Sequence, residues 1–555
     1  MKTFLFLCLL MSTQSNSIKL NKISTYDAMC KGSGCVEVLS FDKQTQTINA
    51  ILRRDSTVVV LKFKNHRLAE HGRIPIGSPK SITTCKGYMA VSLGHDNHTS
   101  GFLRLYDIKT LAMTSEVLLS SMPGMILFSK DGTKIYVAGK GTFSIVYLTW
   151  IKSIPFIHHT KELIFQDYID QISSVEFANK INLGLRVDPR LGGKDKAGLD
   201  IEPDYIAISN DDNIAYVTLQ DNNAIGVINL ENERILDIWP MGSRDLSKSQ
   251  ADLSPVDGIN MRNWNNVYMW HQPYSIVYHT IAGRGYVFTT NKGDTKEEKI
   301  QVRKIAITAW ETTAFPNATI LKSKAELGSV RFDPLWGLEN GYDTSVSYDQ
   351  QTGYNKMFIH GSRSFSIHDA VTGDLVYNSG EWMERITTQH ESSKVCFNCE
   401  RDTNIPDSRS PFSGIEPKAL AVFFMYGTTY LAVGLERQSG FMIFNADNVS
   451  DPMFVEYIVD RNFSIGDDES PELLGNLAPE MIKFVSTRDS PTHAPLLLVT
   501  YEISGHIVVY EFTEESLTLF LVWLCMIAIM LFVSLMIALC LNLKQPRTDF
   551  EENLL

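Results

Sequence analysis

The sequence predicts an all-β protein, a single β-propeller anchored by one helix near its C-terminus. Three observations predict it. A unit of Pro, strand, turn, strand and strand recurs along the chain, helical periodicity is scarce between the ends, and one long uncharged run lies near the C-terminus. The clearest unit is Ile201 to Asn229, IEPDYIAISNDDNIAYVTLQDNNAIGVIN, read as strands at Tyr205 to Ser209, Ala215 to Leu219 and Ala224 to Ile228. Asn210-Asp211-Asp212-Asn213 makes its first turn tight, because Asn and Asp bond their own backbone and tolerate positive φ.

Related units open at Pro79, Pro123, Pro273, Pro417 and Pro479, and weaker ones near Val36 and Val346, giving eight copies. For the Pro273 copy the third strand is expected near Ile300 to Ile307. Antiparallel meanders must cover their edges, and radial closure into blades of about four strands does so. Eight blades are therefore expected, or seven if the Val36 copy pairs with the C-terminal strand to close the ring. Insertions at Trp150 to Leu199 and Ile235 to Gln272 stand out as recognition segments, the first with one short amphipathic helix.

Taken in order, residues 1–17 read as a cleaved signal peptide: Lys2, an apolar run from Phe4 to Met11, then small polar residues. Residues 18–515 form the expected propeller ectodomain. Leu517 to Leu541 carries no charge and, at about 1.5 Å per residue, reaches about 37 Å, enough to cross a bilayer. Residues 516–542 are thus the expected transmembrane helix. Lys544 and Arg547 follow it, which places the tail 543–555 in the cytoplasm and the bulk of the chain outside, a type I topology. The tail ends in Leu554-Leu555 behind Glu551 and Glu552, the pattern of a dileucine sorting signal, so the expected location is the plasma membrane with cycling through endosomes.

With 44% hydrophobic and 21% charged residues the 555-residue chain can bury a large core, and a net charge of -12 without a Lys/Arg run excludes nucleic acid as a partner. An exported domain should carry glycans and oxidised cysteines. Asn97, Asn317, Asn448 and Asn462 are sequons in polar stretches between expected strands. Local disulfides are expected for Cys30–Cys35 and Cys396–Cys399, because no second CxxC or His pair supplies a zinc site and no βαβ context supports a redox pair. Cys85 is left over as a buried strand residue.

Aligning copies by their second strands puts a polar residue just past each strand end: Lys140, Gln220, Lys292, Glu436 and Glu502. Glu202, Asp204, Glu416 and Glu480 lie around the Pro that opens the first strand. In a closed propeller such positions form rings at the mouths of the central channel, and carboxylate rings bind Ca²⁺ through oxygen. The candidate ligand-binding set is Glu202, Asp204, Gln220, Asn291, Asp294, Glu416, Glu436, Glu480 and Glu502, with Ca²⁺ as the candidate ion. Polar strand ends also simply meet solvent. Lys140 and Lys292 would repel a cation, which confines an ion site to Glu416, Glu436, Glu480 and Glu502. No residue reads as catalytic: Ser366 lacks a GxSxG context and His158-His159 lacks metal-helix spacing.

A dozen ordered blocks, among them IEPDYIAISNDDNIAYVTLQDNNAIGVINL, DGINMRNW before HQPYSIVYH, GSRSFSIHDAVTGDLVYNSGEWMERIT, DSRSPFSGIEPKALAVF and LLLVTYEISGHIVVYEF, resemble the mesenchyme-specific cell surface glycoprotein family, also called choice-of-anchor I proteins. The resemblance covers roughly residues 30 to 512. It implies a cell-surface propeller with a part in calcium-based biomineral deposition, and it brings no catalytic residues. The chain departs from that pattern. A membrane helix stands where the family's lipid anchor is expected, RFDPLWGLENGYD retains only Asp333, Glu339 and Asp343 of an acidic run, and Lys418 stands where relatives carry an acid.

These features predict a non-enzymatic type I surface glycoprotein that binds an extracellular protein, glycan or mineral ligand. The carboxylate set motivates one rival, a metal-assisted phosphoester hydrolase. The terminal dileucine motivates another, an endosomal sorting receptor.

Overall fold

Repetition of one local plan organises the described chain. The structure, a computed structural model, describes residues 17–542 except 65, 95–99, 295–299, 391–393, 466–470 and 516. Residues 1–16 of the expected signal segment, Asn97, the tail and Leu554-Leu555 lie outside the described residues. The chain divides into two compact units, Met1–Lys22 with Tyr510–Leu555, and Ile23–Val509.

The larger unit is all-β and of propeller type. The Ile201 unit forms as read: strands Ile206–Ile208, Ile214–Leu219 and Ala224–Asn229 pair antiparallel in succession, and a fourth, Arg234–Pro240, follows. Its Asn/Asp turn places Asp212 at φ 61°, while Asp211 accepts from the Asn213 N–H at 3.2 Å. Four-stranded sheets of this kind open at Leu39, Pro79, Pro123, Ile206, Ile276, Pro417 and Pro479. Their first strands pack side by side in that order, and the one opening at Pro479 packs against Leu39–Asp42. Apolar residues of neighbouring sheets interleave between them, as where Ile51, Val58 and Val60 meet Ile82, Met89 and Val91. Each such side chain, fully buried, contributes about 1.5–3 kcal/mol.

Three expectations need correction. The third strand of the Pro273 copy is Ser364–Asp369, which pairs with Arg284–Asn291, whereas Ile300–Gln301 belongs elsewhere. The copy near Val346 makes no sheet of its own. Its second half supplies that Ser364 strand, and Met357–Ile359 joins an eighth, five-stranded sheet inserted between residues 243 and 359. Sequence spacing misled here because the insertion interrupts a blade between its second and third strands. Finally, the Val36 copy builds a complete sheet, Leu39–Asp42 to Arg67–Pro75, and the strand flanking the last sheet is the upstream Ser17–Asp27, beside His506–Glu515.

The insertion has a narrow neck. Chain leaves at Lys292-Gly293 and returns at Gly361, both glycines at positive φ, and a Cβ on Gly293 would lie 2.2 Å from the Gly361 Cα. Glycine is required here by close backbone approach. The inserted sheet is mixed, with Val267–Trp270 running parallel to Met357–Ile359. The earlier insertion holds two short helices, Phe165–Gln171 and Ser174–Asn182, where one was expected.

In the smaller unit, Leu517–Asn542 is an α-helix without a charged residue. Its side chains are described only over residues 526–538, so among the described residues no helix is long and apolar enough to cross a membrane.

Both expected disulfides are present, Cys30–Cys35 and Cys396–Cys399. Cys85 is a free, half-buried thiol, pushed up by burial. Asn317, Asn448 and Asn462 are exposed.

Candidate functional site

The strand-opening prolines build the site. Pro lacks an N–H, so it suits the first residue of a strand and invites a break in the ladder. Register shifts follow Pro79, Pro123, Pro417 and Pro479. A bulge of this kind re-aims a side chain. The residues after the prolines, Lys80, Gly124, Asp204, Tyr274 and Glu480, together with Glu37, line one cavity of about 160 Å³. Lys418, the residue after Pro417, lines the adjoining cleft of about 440 Å³, which shares Glu37, Tyr274 and Glu480.

That cleft gathers five of the nine expected residues: Asp294, Glu416, Glu436, Glu480 and Glu502. Asp204 lines the smaller cavity, while Glu202 pairs with Lys140. Gln220 is buried, and Asn291 donates to the Ser364 and Ser366 hydroxyls at 2.8 Å inside its sheet. None of these last three lines either cavity.

Cations interleave the carboxylates throughout. Buried Lys418 lies 3.1 Å from Glu436 and 2.5 Å from Glu480. Arg401 spans Glu436 at 3.3 Å and Glu502 at 3.1 Å, Lys292 stands 3.9 Å from Glu416 and 3.7 Å from Glu436, and Arg437 pairs with Glu416 and Glu400. Glu37 pairs with Arg53 at 2.5 Å. The Tyr274 ring lies about equally close to the Lys292 and Lys418 ammonium groups, at 5.2 and 5.4 Å.

Burial and charge split the carboxyls. Desolvation raises Glu37 to about 7, against the pull of Arg53. Asp204 rises to about 8 through desolvation and the nearby Asp221, Glu202 and Asp294. Glu480 is raised by desolvation, whereas the surrounding Lys418, Lys292, Arg437 and Arg401 overcome desolvation at Glu436 and hold it well below the usual range. Lys418 is held firmly charged by Glu436, Glu480 and Glu502 in spite of its burial.

Segments remote in sequence supply the outer wall. Arg331 comes from the inserted sheet, and Arg401, Arg409 and Phe412 come from the loop behind the Cys396–Cys399 disulfide. That disulfide is buried, and the loop it starts is clamped by Asp407 N–H to Phe397 carbonyl at 2.7 Å and Arg409 N–H to Asn398 carbonyl at 2.8 Å. Phe412 lies 4.5 Å from the Arg331 guanidinium and 5.0 Å from that of Arg409. Arg331 has no acidic partner among the described residues, unlike the other cleft cations. The lining carries seven Lys and Arg against six Asp and Glu, so this mouth is cationic on a chain of net charge -12.

The arrangement disfavours the Ca²⁺ expected at Glu416, Glu436, Glu480 and Glu502. A cation there would have to displace Lys418, Lys292 or an Arg from a carboxylate already paired. Reading every residue after the one that opens a repeat, Val36 as well as the prolines and basic and aromatic residues as well as acids, would have revealed Glu37, Lys80, Tyr274 and Lys418. No local signal marks Arg331 or Arg409.

Two curated proteins are similar over part of their length. Gigasin-3a of Magallana gigas is 25% identical over 195 residues, 34% of this chain and 68% of that protein. Mesenchyme-specific cell surface glycoprotein of Strongylocentrotus purpuratus is 25% identical over 304 residues, 48% of this chain and 38% of that protein, so the chain spans well under half of the latter. Among solved structures, Kuenenia stuttgartiensis hydrazine synthase is 11% identical with a TM-score of 0.42, covering 88% of this chain and 97% of that one. The β-propeller domain of Myceliophteria thermophila Cps50 (Swd1) is 10% identical with a TM-score of 0.39, covering 89% and 100%. Neither structural likeness bears on function. The family model of the choice-of-anchor I domain matches residues 37–449, from the cleft residue Glu37 just before the first sheet to the turn that precedes the last strand of the sixth, and the chain belongs to the choice-of-anchor I family.

Proposed function

We propose that this chain is a non-enzymatic cell-surface glycoprotein whose propeller captures a small anionic extracellular group, an acidic sugar or a carboxylate-bearing side chain, at the mouth of its central channel. One observation carries the reading: the cleft pairs its carboxylates internally, yet leaves the Arg331 guanidinium, set on Phe412, without an acidic partner among the described residues. An arriving anion replaces water there and completes the charge pattern. The cyclic packing of seven first strands supports seven blades in one ring, with the inserted sheet as an accessory wall. The cell-surface glycoprotein relative, the exposed sequons and the two disulfides support an exported domain over residues 18–515. Exposure of Met526, Phe532 and Ile537 along an uncharged helix supports a membrane span at 516–542, with 1–17 as signal and 543–555 as tail.

The test is binding of the full-length protein to an array of acidic and neutral oligosaccharides, at two ionic strengths. Acidic members should bind preferentially and weaken with salt, and Arg331→Ala should lose about 10–100-fold in affinity, the range of a charge-assisted hydrogen bond. Equal binding of neutral and acidic sugars, or an unchanged Arg331→Ala, would overturn the proposal.

A further inference from the structure

Away from the cleft's charge network, two loops converge on three carboxylates. Asp252, Asp257 and Asp407 each place one carboxylate oxygen within 4.8 Å of those of the other two. Asp252 and Asp257 belong to the loop before the second strand of the inserted sheet, and Asp407 to the loop behind Cys396–Cys399.

Both loops are shaped without a ligand's help. Asp252 accepts the Ser254 N–H at 3.2 Å through Oδ1 and the Asn260 N–H at 2.7 Å through Oδ2, which folds the loop back so that Asp257 returns over Asp252. Asn260 Nδ2 donates to Asp257 at 2.7 Å. Across from them, Asp407 takes the Ser410 hydroxyl on Oδ1.

A second observation separates this triad from an ordinary acidic patch. Asp407 is 5% exposed, and its Oδ2 is buried without a hydrogen-bond partner. Asp252 is fully buried. Leaving an anionic oxygen buried and unsatisfied costs several kcal/mol, and such atoms call for an explanation such as a missing ion. The nearest buried cation does not supply the answer. Arg363 spends its guanidinium on the carbonyls of Asp252, Ser410 and Phe412 and on Glu384, leaving the three carboxylates to one another. Burial raises Asp252 to about 7, with Asp407 and Asp257 adding to the rise and the Asn260 and Ser254 N–H groups opposing it, and burial raises Asp407 to about 6, with Asp257 adding to the rise and the Ser410 hydroxyl, the Arg363 charge and the Gly258 N–H opposing it.

We infer that Asp252, Asp257 and Asp407 bind one hard divalent cation of calcium's size, bridging the two loops. The spacing admits such an ion: three oxygens all within 4.8 Å of one another leave a point no more than about 2.8 Å from each, which accommodates calcium–oxygen bonds of roughly 2.3–2.6 Å, and three protein carboxylates suit calcium better than magnesium, which keeps several waters and takes one or two carboxylates. Three carboxylates without a thiol or imidazole select a hard ion over zinc or copper. With the site open at exposed Asp257, water completes the shell. This site is separate from the cleft and stands or falls without it.

The test is equilibrium dialysis of full-length protein, stripped with chelator, against 5 mM calcium, in the millimolar range of extracellular calcium modules. The parent should retain about one calcium per chain more than Asp257→Asn and Asp407→Asn. Asp349→Asn, an exposed acid on another loop, should match the parent. Because Asp257 is exposed, its variant keeps the test meaningful even where Asp407→Asn unfolds. Equal calcium in parent and Asp257→Asn, no calcium in the parent, or displacement by equimolar magnesium would each overturn the inference.

Discussion

Lys418→Met removes the cation at the centre of the cleft while keeping the length of its stem. Lys418 sits 3.1 Å from Glu436 and 2.5 Å from Glu480, all three buried, so the substitution leaves two carboxylates without their shared partner. Breaking a buried pair costs about 3–5 kcal/mol. Lys292 and Arg401 remain near Glu436 and hold the loss there toward the lower end, but Glu480 keeps no other cation within 4 Å among the described residues. For a cooperative unit of roughly 490 residues, the unfolding entropy of about 2.1 cal/mol/K per residue converts that loss into a Tm fall of about 3–5 °C. The pH dependence is the sharper readout. Glu480, already raised, rises further without Lys418, so it becomes neutral in the folded state at mildly acid pH and the penalty vanishes there. Differential scanning fluorimetry at pH 7.5 and pH 5 should show a deficit at the first that shrinks by more than half at the second, and Lys418→Met/Glu480→Gln should recover most of it at pH 7.5. A deficit equal at both pH values would refute the electrostatic account and leave only lost packing.

Two further outcomes follow from the same geometry. Glu37 has a folded pKa near 7, above its unfolded value, so its contribution is full below about pH 4.5 and is lost as pH rises through 7; Glu37→Gln should flatten the fall in Tm between pH 5 and 7.5, and an unchanged slope would point to other groups. Gly361→Ala would place a Cβ 2.1 Å from the Lys292 carbonyl at φ 76°, costing about 1–3 kcal/mol or more and shifting Lys292 and Asp294; acidic-glycan binding should weaken with a modest Tm loss, and wild-type behaviour in both assays would show that the neck yields freely.

The propeller was legible because its devices are local. A proline that opens a strand, a polar turn and a tyrosine after it fall within some fifteen residues, and the bulge that the proline permits is what aims Lys418 or Glu480 into the cleft. The disulfides were legible for the same reason, being closed over separations of 5 and 3 residues. Lys292 and Lys418 were legible too, but they did not by themselves reveal the sign of the site. Its balancing charges, Arg331, Arg401 and Arg409, arrive on an insertion and a stapled loop whose positions depend on pairing across long sequence distances, as between Val267 and Met357. Periodicity carries no record of such pairing. Asp252 and Asp407, 155 positions apart, escaped notice on the same ground.

The strand Ser17–Asp27 lies beside His506–Glu515, so the first described strand finds its place in the last sheet. At about 5–20 residues per second, synthesis of the intervening stretch takes roughly 25–100 s. Throughout that interval the early strand has no partner of its own, and the sheets already made expose an open flank. Completion of the last sheet is therefore a late event in the life of the nascent chain, and truncation within His506–Glu515 leaves Ser17–Asp27 with little or no partner strand.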